Sequence, residues 1–136
     1  MLAFFGVDRP EGEVPPDLYP QYGAPFIWRK PDIVELEREA QLGRFGLIPT
    51  WSEDLAIGRR TYNARSETAA EKPSFRDSWH RGRRCIVPAE AIYEPNWETG
   101  KAVRWRISRR DGQPMGIAGL WGWLNWSPKN GRHEVC

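Results

Sequence analysis

Residues 59–94 hold most of the side chains that could do chemistry. Asn63, Arg65, Ser66 and Glu67 lie in one run, followed by Lys72, Arg76, Arg83, Arg84 and Cys85, and then by Glu90 and Glu94. An amide, guanidinium groups, a hydroxyl and carboxylates at such short spacing suit either proton transfer or the recognition of an anion. Glu94 is the best acid–base candidate, because it follows apolar Ala91-Ile92-Tyr93 at the end of an expected strand, where burial disfavours a charged carboxylate. The rival reading is a strand-end carboxylate paired with one of the many arginines, and on the residues alone it ranks first. Glu90 and Glu94 also form a carboxylate pair, but in an extended segment they stand roughly 13 Å apart, beyond the spacing that either glycosidase class uses. Alone, Asn63 reads as a turn residue and Trp51 as core packing. His80 and His133 have no partners at ligand spacing and read as surface or helix-end residues. Cys85 and Cys136 fit no metal pattern, and Cys85 beside Ile86 and Val87 reads as a small buried apolar residue. No metal and no cofactor are expected.

The charge around these residues is uneven. The net charge of the 136 residues is only +2, yet residues 1–58 carry a balance of −5, residues 59–84 one of +5 and the remainder +2. An arginine-rich segment near exposed aromatic rings is the footprint of a nucleic-acid groove, where guanidinium groups meet phosphates and rings stack on bases. A solvated charged face is the alternative, and composition does not separate the two. With 40% hydrophobic residues, 28% charged residues and eight tryptophans, the chain is expected to fold as one domain over residues 1–136. No apolar run approaches the roughly 20 residues of a membrane helix, and residues 1–7 lack the basic flank and cleavage pattern of a signal sequence. The expectation is a cytoplasmic protein without membrane contact.

The elements that must position the segment are short. Residues 2–7 read as the last turns of a helix, with Gly6 at its end. Residues 8–25, with five prolines, read as an extended connection. Phe26-Ile27-Trp28 is a short strand, and residues 33–38 and 44–48 a hairpin turning near Gly43, after which Pro49 presents Trp51. Thr68 to Glu71 has the form of a capping box, stopped by Pro73; Ser74 caps a second short helix through Trp79, ended by Gly82. Strands follow at 84–87 and 91–94 on either side of a bend at Pro88. Residues 102–108 alternate as a half-buried strand, with Val103, Trp105 and Ile107 on one face. Asp111-Gly112 turns the chain, and residues 115–123 return as a second strand in which Gly116 and Gly119 signal a bulge or a close backbone approach. Residues 133–136 begin another strand. The fold class is α+β, a mainly antiparallel sheet with a few short helices.

Taken in series, Gly46-Leu47-Ile48-Pro49-Thr50-Trp51, Asn63-Ala64-Arg65-Ser66-Glu67-Thr68, Lys72-Pro73-Ser74-Phe75, Arg83-Arg84-Cys85-Ile86-Val87-Pro88-Ala89, Tyr93-Glu94 and Ala118-Gly119-Leu120-Trp121 resemble the SRAP family. These are the SOS-response-associated peptidases that process abasic sites in DNA. The resemblance covers about residues 43–121. It implies a sheet closing toward a barrel, and a monomer whose partner is single-stranded DNA carrying abasic sites. It also implies an N-terminal cysteine whose amine attacks the ring-opened aldehyde and whose thiol closes the adduct to a thiazolidine. The same cysteine, with an asparagine, a glutamate and a late histidine, would cleave a short leader where one exists. Glu94 matches the family's proton-shuttling glutamate, and Asn63 the asparagine that holds the reacting N-terminus. Arg65 matches the arginine that meets the DNA backbone, and Trp51 an aromatic of the DNA-facing surface. Arg76 and Arg84, basic residues of the same segment, complete the DNA-binding set.

The sequence departs from the family pattern at both ends. Position 2 is Leu2 where the pattern has cysteine, and the late histidine block is absent from residues 1–136. Three readings stay open. The chain is a middle segment of an SRAP protein that keeps Asn63, Arg65 and Glu94; or a short protein that has given up catalysis and retains a DNA-binding surface; or an unrelated module for RNA or protein. An in-frame Met-Cys-Gly/Ser-Arg encoded upstream of Met1 would single out the first. A segment of that kind should be poorly stable, with Phe4, Phe5, Val135 and a bare sheet edge exposed.

Overall fold

The computed structural model describes residues 1–29, 37–48, 52, 55–123 and 133–135. Its strands are β1 (Gly23–Arg29), β2 (Arg38–Phe45), β3 (Arg84–Ala89), β4 (Ile92–Asn96), β5 (Val103–Ile107), β6 (Met115–Trp123) and β7 (His133–Val135). One short helix, α1 (Arg76–His80), and two 3-10 segments, Leu2–Phe5 and Leu55–Arg59, accompany them. Five strands close a barrel in the order β1-β2-β7-β6-β3, and β4 pairs with β5 as a separate ribbon. All these pairings are antiparallel except that of β2 with β7. This is the mainly antiparallel, barrel-forming α+β architecture expected.

Alternation along the strands builds the barrel interior. Ala24, Phe26 and Trp28 of β1, Cys85 and Val87 of β3, and Trp121 of β6 form one buried cluster. The Trp28 ring meets Phe26 and Trp121 edge-on, with centroids 5.4 and 4.7 Å apart; such pairs contribute about 0.5–1.5 kcal/mol each beyond burial. Since successive strand residues point to opposite faces, Leu120 leaves the barrel where Trp121 enters it. Leu120 joins Leu47, Ala69 and Phe75 in a second buried cluster, with Ala64 and Trp79 packed against it. That cluster seats the arginine-rich segment on the outer wall.

Several sequence expectations change. Residues 38–45 form one strand through Gly43, and its antiparallel partner is β1; no hairpin turns at Gly43, and residues 33–36, Pro49 and Trp51 lie outside the described residues. Pro25 belongs to β1 rather than to the connection before it, two residues short of Ile27, where β1 registers with β3. Pro88 stays in β3, opposite Gly116, so the chain breaks at Glu90 and Ala91 instead. Phe75, not Ser74, is the N-cap of α1, without a side-chain capping bond. β6 pairs with β3 and β7 rather than returning along β5. β5 is a strand but not a half-buried one: Val103, Trp105 and Ile107 are 46%, 49% and 41% exposed. Alternation defines an apolar face without saying what covers it. β7 presents no bare edge, being paired with β2 and β6.

The first residues pack on the same outer wall. The 3-10 segment ends at Gly6, in the left-handed region at φ 71°, whose N–H donates to the Ala3 carbonyl. Phe4 is exposed, but Phe5 is half-buried. A Cβ on Gly116 would stand 2.9 Å from Ile86 Cγ2 and 3.3 Å from Phe5 Cε1. What closes on Gly116 is therefore the side chains of Ile86 and Phe5, not the backbone approach expected there.

Candidate functional site

The segment carrying Asn63 and Arg65 is fixed from below by Thr61. Its Oγ1 donates to the Leu47 carbonyl at 2.6 Å, with the Ile57 carbonyl 3.2 Å away, and its own carbonyl accepts the Leu47 N–H. Thr61 is buried. Beyond it the chain alternates: Ala64 packs against the second cluster, and Asn63 and Arg65 are exposed. Thr61→Val should leave the Leu47 carbonyl short of its donor and lower stability by about 1–3 kcal/mol. The check is the midpoint of chemical denaturation, and an unchanged midpoint would mean that the hydroxyl does not hold the segment.

Arg65 opens a helical turn, its carbonyl accepting the N–H groups of Thr68 and Ala69. A second turn follows, in which the Lys72 carbonyl accepts from Phe75 and Arg76. Phe75 is buried in the second cluster, so α1 starts from an anchored ring and Arg76 projects into solvent. Asp77 takes Arg81 at 2.9 Å and Arg83 at 3.8 Å. Arg83 also lies over the Trp121 ring. Partial burial, then the neighbouring Arg81 charge, holds the Arg83 guanidinium below its usual range, against the opposing pull of Asp77. Arg84 stacks over the Trp79 ring at 4.0 Å, an arrangement that contributes about 0.5–1 kcal/mol at an exposed site. Arg65, Arg76 and Arg84 form no ion pair among the described residues. His80 is an exposed helix-end residue, as expected, with its Nε2 3.1 Å from the Ala70 carbonyl.

Glu94 stands apart from this group. It is exposed on β4, directly opposite Trp105 of β5, which corrects the expectation of a sheltered carboxyl group. Its carboxylate also makes no hydrogen bond or ion pair among the described residues, so the rival reading of an arginine-paired carboxylate does not hold either. On the other face of the ribbon the Arg104 guanidinium lies 4.0 Å from the Tyr93 ring. No hydrogen bond or ion pair among the described residues joins Glu94 to Asn63. Trp79 as the platform under Arg84 and Thr61 as the clamp below Asn63 are visible only in the folded chain. The signal for Trp79 was a tryptophan five positions before an arginine that opens a strand; no local pattern marked Thr61. Among the described residues no group of three or more His, Cys, Asp or Glu could hold a metal, and no helix is long and apolar enough to cross a membrane.

Comparison with known proteins adds to this geometry. The model of the SOS response associated peptidase (SRAP) family matches residues 9–136. Abasic site processing protein YoqW of Bacillus subtilis (strain 168) is 34% identical over 126 residues, covering 89% of this chain and 54% of that protein. Abasic site processing protein HMCES of Rattus norvegicus is 43% identical over 54 residues, 38% of this chain and 15% of that one. A solved structure of a protein from Bordetella bronchiseptica superposes with a TM-score of 0.77 at 45% identity, over 93% of this chain and 60% of that one. A second, from Bacteroides thetaiotaomicron, gives 0.65 at 27% identity, over 85% and 48%. The chain spans about half the length of the bacterial YoqW relative.

Proposed function

Because the chain belongs to the SOS response associated peptidase (SRAP) family, we propose that it acts as an abasic-site processing protein of the DNA damage response, with residues 59–84 as its contact to single-stranded DNA. The observation that carries the reading is the set Arg65, Arg76 and Arg84. All three are exposed and without carboxylate partners among the described residues, while Asp77 is taken up by Arg81 and Arg83. Guanidinium groups left free beside an aromatic platform suit phosphates and stacked bases. Asn63 and Glu94 take the roles implied by the family resemblance: Asn63 holds the reacting amine, and Glu94 moves protons as the aldehyde is attacked. Attack of the amine expels water and leaves an imine. Addition of the thiol across the C=N bond, with its proton passing to nitrogen, gives the thiazolidine. Covalent chemistry of this kind needs an amine and a thiol on one residue.

A second reading, a DNA-binding module without the reaction, rests on Cys85. Among the described residues it is the one cysteine, and it is buried in the barrel, 5% exposed, so it offers no thiol to DNA. Both readings require DNA binding. Fluorescence anisotropy with labelled single-stranded DNA should show affinity falling steeply as salt rises. Arg65→Ala should weaken binding and flatten the log–log salt slope by about 0.7, one phosphate contact on a single strand. Arg109→Ala should change little, because Arg109 is already engaged through two nitrogens by Asp111. Salt-independent binding, or equal effects of the two substitutions, would overturn the proposal.

A further inference from the structure

We infer that the seam between β1 and β3 carries a second phosphate subsite, formed by Arg29, Arg38 and Arg84, over which a single DNA strand continues from the Arg65 segment. This rests on the DNA-binding reading above and extends it from Arg84 to Arg29 and Arg38, which lie outside the family motifs. β1 and β3 register at one pair, Ile27 with Ile86, and the wall opens beside it into a groove with a volume of about 210 Å³. Phe5, Ile27 and Ile86 are apolar parts of its lining, and Arg29, Arg38 and Arg84 are the cations.

The arginines come from three strands. Arg29 and Arg38 are directly opposed in the β1–β2 ladder, so their side chains leave the same face of the sheet. Like charges in that position destabilise a sheet, and no carboxylate among the described residues pairs with either. Glu39, the acid next to Arg38, instead accepts a hydrogen bond from Trp28 Nε1. A phosphate between the two guanidinium groups would turn the repulsion into a bidentate contact, the geometry for which arginine is suited. Arg84 links this groove to the basic segment, since it lines the groove and stacks on Trp79. The volume is below the roughly 300 Å³ at which pockets for whole small ligands begin. It therefore takes a phosphate and its sugar from a strand rather than a free nucleotide.

The experiment compares wild type, Arg65→Ala and the double variant R29Q/R38Q, by anisotropy with a labelled single-stranded oligonucleotide between 50 and 200 mM salt. Loss of two phosphate contacts should shrink the wild-type affinity change across that range by roughly sevenfold in R29Q/R38Q. The thermal midpoint of R29Q/R38Q should not fall, because a like-charge pair is relieved; a fall would mean that the arginines serve the fold and would overturn the subsite. An unchanged salt response in R29Q/R38Q, together with a flattened one in Arg65→Ala, would sink the groove alone and leave the DNA-binding reading standing. No binding by wild type would sink both. Displacement of the oligonucleotide by dAMP at an equal phosphate concentration would assign the groove to a free nucleotide and overturn the strand path.

Discussion

Glu94→Gln should slow formation of the abasic-site adduct by about 10²- to 10⁴-fold, the range for a lost general acid–base, in a polypeptide given the Met-Cys-Gly-Arg start and late histidine block that the family resemblance implies. The carboxylate is suited to the task because no arginine or lysine among the described residues holds it. Its exposure on β4 leaves both its oxygens open to a substrate. Asn63→Ala should impair positioning of the reacting amine more than proton transfer. The readout is a denaturing gel after incubation with single-stranded DNA carrying one abasic site. A polypeptide that begins Met1-Leu2 offers an amine without a thiol, and an imine is reversible, so it should leave no heat-stable shifted band. Such a band from that polypeptide would remove the thiol from the mechanism. An unaltered rate in Glu94→Gln would remove the glutamate.

Gly46→Ala should cost about 2–5 kcal/mol, combining backbone strain with overpacking. Gly46 sits just past β2 at φ 119°, and a Cβ there would fall on the carbonyl of Gly58. The two glycines bring the 3-10 segment Leu55–Arg59 against the end of β2, next to the Leu47–Thr61 hydrogen bonds that hold Asn63 and Arg65 in place. Gly100→Ala is the internal comparison. It also has a positive φ, 78°, but nothing stands within 4 Å of the added carbon, so it isolates the strain of about 1–2 kcal/mol. Chemical denaturation of both variants separates the contributions. Equal losses would mean that the Gly46–Gly58 contact contributes nothing. DNA affinity should fall in Gly46→Ala and stay at the wild-type value in Gly100→Ala.

What could be read in advance was set by how local each signal is. Phe26-Ile27-Trp28, residues 115–123 and residues 133–135 were legible as strands because β-branched and aromatic residues mark them without reference to a partner. β2 was misread because its true partner, β1, is known only once the chain has folded back, and Gly43 in mid-strand imitates a turn. The basic segment that holds Arg65, Arg76 and Arg84 could be seen from charge density, whereas Arg65 was singled out only by the motif resemblance. The stack of Arg84 on Trp79 could not be seen, since it needs α1 docked on β6 through Phe75 and Leu120. The surroundings of Glu94 were hidden for the same reason: they depend on the register that sets it opposite Trp105.

β7 fits between β2 and β6, and its pairing with β2 joins Gly43 to His133, about ninety residues along the chain. During synthesis β1, β2, β3 and β6 all leave the ribosome before the strand that closes them. Until it arrives, β2 and β6 each present a row of unanswered amide and carbonyl groups, the kind of edge at which chains pair with one another. Such distant pairing belongs to the slower folding topologies, milliseconds to seconds rather than microseconds. The nascent protein therefore passes through an interval in which two sheet edges stand open, and it ends only when β7 pairs with both and closes the barrel.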